Sequence, residues 1–111
     1  MSRDTLAEFE LLVILAALRL GPAEAYTVSI GDVITERTGR RVRRANVHTT
    51  LGRLETKGMV STRLGDARPE RGGKPRRLVT ITPSGLEAIR ATTGAIGAMS
   101  EGLEEAIGGA A

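Results

Sequence analysis

The residues best equipped for chemistry in this chain are basic, and they are crowded together. Arg40, Arg41, Arg43 and Arg44 put four guanidinium groups into five residues. Asn46, His48, Thr49, Thr50 and Arg53 follow, then Lys57. A second cluster holds Arg71, Lys74, Arg76 and Arg77. A guanidinium is a planar fork that fits phosphate oxygens or the edge of guanine. Asparagine pairs with the edge of adenine, and a threonine methyl can touch that of thymine. The chemistry these types support is recognition of a polyanion. Bond-making chemistry is poorly supplied. With one histidine and no cysteine, the common nucleophile–base pairs cannot be assembled. Gly72-Gly73-Lys74-Pro75 lacks both the spacing and the following hydroxyl of a phosphate-binding nucleotide loop. His48 has no partner cluster that would make it a metal ligand, so neither metal nor cofactor is expected.

The charge distribution agrees. Residues 1–36 carry a net −4, residues 37–77 a net +10 and residues 78–111 a net −3, so the overall +3 conceals a basic centre between acidic ends. That is the footprint of a polyanion binder, against the plainer reading of a solvated basic face. The 111 residues suit one domain. At 41% hydrophobic and 26% charged the composition is that of a globular chain, which argues against wholesale disorder. The run 11–18 is the longest strongly apolar one and is shorter than the roughly 20 residues a membrane span needs. Acids at Asp4, Glu8 and Glu10 do not fit a signal peptide. A cytoplasmic protein with no membrane partner is expected. Phe9 and Tyr26 are the only aromatic residues, so the core must be aliphatic.

Four helices and a hairpin must position the basic residues. Thr5 and Glu8 have the spacing of a capping box. Leu6, Phe9, Leu12, Val13 and Ala16 line one helical face, and Leu11, Ile14, Leu15 and Leu18 widen it past a single stripe, so the first helix should be buried on more than one side before ending near Gly21-Pro22. A second helix is predicted over 27–38, stopped by Gly39. A third over 44–57, ended by Gly58, has one narrow core stripe, Val47, Leu51 and Leu54, and a polar and basic remainder. Strands are expected at 59–64 and 77–81 around a charged tip rich in Gly and Pro. Thr82-Pro83 starts a last helix to about residue 107. In it Ile89, Ile96 and Leu103 repeat every seven residues, with Met99 near the other seam. Gly94, Gly97 and Gly102 weaken that helix.

Three helices, a hairpin with a basic tip and a further helix describe a winged helix-turn-helix, mainly α with a small β-hairpin wing. In that architecture the third helix enters the major groove of duplex DNA. The stretch from Val47 to Val60, with Leu51-x-x-Leu54-Glu55-x-x-Gly58 inside it, resembles the recognition helix of the PadR family of transcriptional regulators. Gly72-Gly73-Lys74-Pro75-Arg76-Arg77 resembles that family's wing, and Thr82-Pro83-Ser84-Gly85 the start of its C-terminal helix. The resemblance spans roughly 6–90, although the leucine pattern alone is shared with MarR-type and other winged helices. His48 stands where the family often has Tyr, and Tyr26-Thr27-Val28 where it usually has Tyr-Gly-Tyr.

The resulting expectation is a homodimeric repressor that binds double-stranded DNA at an inverted repeat. Residues 1–82 would form the DNA-binding domain, 83–107 a C-terminal dimerisation helix and 108–111 a disordered tail. Arg44, Asn46, His48, Thr49, Thr50 and Arg53 would face the bases, and Arg40, Arg41, Arg43, Lys57, Arg71, Lys74, Arg76 and Arg77 the phosphates. Leu11, Leu15, Ile89, Ile96, Met99 and Leu103 would form the dimer interface. Control by an unidentified small-molecule effector is implied by the resemblance. Two alternatives stay open: a winged-helix module that binds an acidic protein or RNA, and a MarR-type regulator.

Overall fold

Helix α1, Glu8–Leu20, is the element around which the rest is built. Glu10, Leu11, Val13, Ile14, Ala16 and Ala17 are all buried, which realises the wide apolar surface of its sequence. The computed structural model describes residues 5–67 and 75–108. The first cap differs from expectation. Ala7 is the N-cap, and the Glu10 carboxylate accepts from its N–H at 2.9 Å, so Glu10 plays the part assigned to Glu8 and Thr5 is not a cap. The chain reverses at Gly21 (φ 85°).

Helix α2, Thr27–Thr38, has the expected bounds. Gly39 closes it in the left-handed conformation (φ 75°), donating its N–H to Thr35 O at 2.8 Å. Helix α3, Arg44–Thr56, begins at the N-cap Arg43 and buries Val47, Thr50, Leu51 and Leu54. Its sequel Gly58 (φ 78°) turns the chain into the hairpin.

Strands β1, Val60–Ala67, and β2, Pro75–Ile81, pair antiparallel, with Val60 opposite Ile81, Thr62 opposite Val79 and Leu64 opposite Arg77. The register breaks between Leu64 and Ala67. Both strands run further toward the tip than expected. Val79 also donates its N–H to Ala25 O at 2.9 Å, tying the hairpin to the turn before α2.

Helix α4, Pro83–Ser100, starts as its sequence says: Thr82 caps it by accepting from Gly85 N at 3.0 Å, and Pro83 follows. Gly85 lies against the segment that joins α3 to β1, where a Cβ would clash with Met59 O, so only glycine fits. The expected single helix to residue 107 is corrected. It runs through Gly94 and Gly97 but ends at Ser100, and Gly102 (φ 85°) separates it from a short helix α5, Glu104–Gly108. Gly108 closes α5, and the rest of the expected tail lies outside the described residues.

Ile14, Ile30, Leu54, Val13, Val47 and Val79 are the largest fully buried side chains, drawn from α1, α2, α3 and β2. Leu6, Ala88 and Ile89 extend this aliphatic cluster onto α4, and Thr92 Oγ1 accepts from Leu6 N at 3.0 Å. Among the described residues no helix is long and apolar enough to cross a membrane.

Candidate nucleic-acid interface

The packing of α1 under α3 decides which of the basic residues face outward. Val47, Leu51 and Leu54 turn inward, so the opposite line of the helix, spaced +4, +3 and +4, is Ala45, Thr49, Gly52 and Thr56, all exposed. This line is low, and two clefts flank it.

On one side a cleft of about 310 Å³ is rimmed by Arg40, Arg41, Asn46, Thr49 and Arg53, with the less exposed Phe9 and Thr50 also lining it. The Arg40 guanidinium lies 5.7 Å from the Phe9 ring centroid and bonds the Glu8 carboxylate at 3.0 Å. On the other side a cleft of about 240 Å³ brings His48, Gly52 and Glu55 of α3 against Thr62 and Arg77 of the hairpin and Thr27 of α2. A short polar chain ties wing to helix here. Arg77 Nη1 donates to Thr62 Oγ1 at 3.1 Å, and that hydroxyl donates to Glu55 Oε2 at 3.0 Å. Arg76, at the tip end of β2, stacks over the Tyr26 ring at 4.6 Å from its centroid.

Most of the residues singled out in the sequence therefore converge. Arg40, Arg41, Asn46, Thr49 and Arg53 meet at the first cleft and His48 and Arg77 at the second, while Arg43 and Arg44 are exposed at the start of α3 and line neither. Arg71 and Lys74 lie outside the described residues. One assignment is corrected. Thr50 is 3% exposed, because it falls beside the core stripe on the helical wheel, so it lines the cleft from within and cannot reach a partner's bases. Lys57 is engaged elsewhere: its ammonium bonds both oxygens of Glu10, at 3.0 and 2.9 Å.

Glu10 was not foreseen as a structural group. It is 5% exposed in the first turn of α1 and is satisfied by Lys57 and by Ala7 N. Burial by itself would raise its carboxyl pKa. The Lys57 hydrogen bond, the Ala7 N–H and the charges of Lys57 and Arg53 outweigh burial and hold it below the ordinary glutamate value. The pair fastens the end of α3 to the start of α1. A charged residue at a position that shares a face with Leu6 and Val13 was the available signal in the sequence. The low line of Ala45, Gly52 and Thr56 was likewise readable from its spacing against the core stripe.

The residues expected at a dimer interface divide in two. Leu11 at 9% exposure and Ile89 at 8% belong to the chain's own core, which corrects their assignment, and Leu15 is half-buried against it. Ile96, Met99 and Leu103 are exposed. Leu103 lies in the break between α4 and α5.

A helix flanked by two clefts, with a hairpin beside it, is the winged-helix arrangement, and known structures share that fold. A PadR family transcriptional regulator from Eggerthella lenta superposes with a TM-score of 0.68 at 20% identity, covering 90% of this chain and 86% of that one. The chain has the winged-helix fold of a PadR-family regulator. A protein from Thermoplasma acidophilum described as a transcriptional regulator is equally similar, with a TM-score of 0.68 at 16% identity over 91% of this chain and 90% of that one. A chain from a complex structure of hsRosR-S4 gives a TM-score of 0.63 at 19% identity, covering 90% of this chain and 77% of that one. No family model and no curated protein matches the chain by sequence. The fold is thus shared with these structures at sequence identities of 16–20%.

Proposed function

We propose that this protein binds duplex DNA in a sequence-specific manner as a transcription regulator, acting as a homodimeric repressor that occludes a promoter. The observation that carries the reading is the exposed face of α3, with Arg40, Arg41 and Arg53 along one cleft and His48 and Arg77 along the other. A major groove admits an α-helix, and bases beside it can reach the phosphates on both banks. Asn46 and Thr49 are the base readers in this proposal, and Arg43 and Arg44, at the start of α3, are phosphate contacts strengthened by the helix N-terminus. The exposed Ile96, Met99 and Leu103 support a two-fold dimer, which would read an inverted repeat.

Selection of bound duplexes from a random pool, at two salt concentrations, tests the proposal. Enrichment of an inverted repeat, with affinity falling steeply in salt as on the order of 6–10 phosphates are neutralised, is the expected result. Binding that does not enrich any sequence would leave a non-specific binder, and no duplex binding would turn attention to an acidic protein or RNA partner. Replacing Arg43 and Arg44 with Ala should weaken every duplex alike and flatten the salt slope. Replacing Asn46 or Thr49 should instead change the preferred sequence.

A further inference from the structure

Gly52 sits in the middle of α3, where its presence has no structural cause. Its φ is not positive, so its backbone does not need glycine. A Cβ built on it would meet no atom within 4 Å, so no neighbour excludes a side chain. Glycine in a helix interior weakens the helix relative to alanine, through the backbone freedom it loses on folding. The position therefore carries a stability cost that the folded chain does not recover by itself. Gly94 and Gly97 of α4 are equally open, but they lie on its exposed far half and line neither cleft beside α3.

What distinguishes Gly52 is its surroundings. It lies on the outward line of α3 between Thr49 and Thr56 and borders the cleft that holds His48, Glu55 and Arg77. The longer side chains, His48 on one bank and Arg53 on the other, rise beside it. A partner that engages both banks at once spans the helix at this point.

We propose that Gly52 is a close-approach residue: its missing side chain lets the backbone of α3 settle against base edges at the floor of a DNA groove, so that Asn46 and Thr49 reach them. The assignment rests on the DNA-binding reading above and deepens it. Base contacts depend steeply on distance and direction, whereas arginines on long flexible stems follow a phosphate through a small displacement. A methyl at this position should thus cost specific binding more than non-specific binding.

The experiment uses the full chain, a duplex selected by it from the random pool, and a scrambled duplex of the same length. G52A should raise Tm by several degrees, as an exposed helical Gly→Ala change does. It should weaken binding to the selected duplex about tenfold, on the scale of one good base contact, and leave binding to the scrambled duplex nearly unchanged. G52L should lose more on the selected duplex while remaining folded. Equal binding of G52A and wild type to the selected duplex, or equal losses on both duplexes, would overturn the assignment and leave the DNA-binding reading intact. Failure of the wild type to select any duplex would overturn that reading, and the role of Gly52 with it.

Discussion

Helices α1 and α4 are both rich in aliphatic and small residues, yet they end in opposite environments. In α1 most of the apolar residues are taken up by the chain's own core: Val13 and Ile14 are fully buried, and Leu11, Ala16 and Ala17 nearly so, while Leu18 near its end is 45% exposed. In α4 burial stops at Thr92, and beyond it Ile96 is 55% and Met99 78% exposed. The difference lies in neighbours. α2, α3, β2 and α4 all pack on α1, whereas the far half of α4 runs past the last of them. Apolar periodicity thus reports that a face will be covered and not by what. Where one chain supplies the cover the face is core. Where it does not, the face is available to a second copy, as the proposed dimer requires.

Four substitutions sharpen this contrast, and chemical or thermal denaturation reads each. Ile14→Ala should have the largest effect, about 2–5 kcal/mol, because it opens a cavity among Val47, Leu54 and other fixed side chains. Glu10→Gln comes next. It removes the charge from a buried carboxylate that Lys57 and Ala7 N satisfy, and should cost about 1–3 kcal/mol. The same group gives a pH dependence. Its folded pKa lies below the ordinary value, so its contribution is complete above about pH 4.5 and fades as the pH falls through the folded pKa. In Glu10→Gln that part of the acid sensitivity should be missing. Thr82→Ala removes the cap that starts α4 and should cost about 1 kcal/mol.

Ile96→Ser should have the smallest effect on the fold of a single chain, within about 0.5 kcal/mol, because the side chain stands in solvent. Its consequence should appear in sedimentation velocity, as a shift toward the monomer. An unshifted dimer would mean that the exposed end of α4 is not the interface. A large loss of stability in dilute protein would mean that this half of α4 packs on its own chain after all.

Helix α3 shows why some of the interface was legible and some was not. Its core stripe follows from spacing alone, since apolar residues at +4 and +3 can share one face only if the chain is helical. The outward line of Ala45, Thr49, Gly52 and Thr56 follows from the same geometry. Thr50 escaped because a threonine next to the stripe is polar enough to be read as exposed, and its burial depends on how closely α1 approaches. Lys57 escaped because its partner Glu10 is 47 residues away along the chain. The Arg40–Glu8 ion pair, whose partners lie 32 residues apart, is hidden from the sequence for the same reason.

Local chemistry determined much of this protein without reference to its fold. The bounds of α2, the Thr82-Pro83 start of α4, the turns at Gly21, Gly39 and Gly58, and the concentration of arginine ahead of a polar helix all follow from residue types and short spacings. These are interactions within a turn or two of backbone, and a sequence states them directly. Tertiary structure alone decided which cations remain available at the surface, where the clefts beside α3 open, and where α4 leaves the core. Each depends on contacts between residues far apart in the chain, and their distances exist only once α1, α3 and the hairpin have packed.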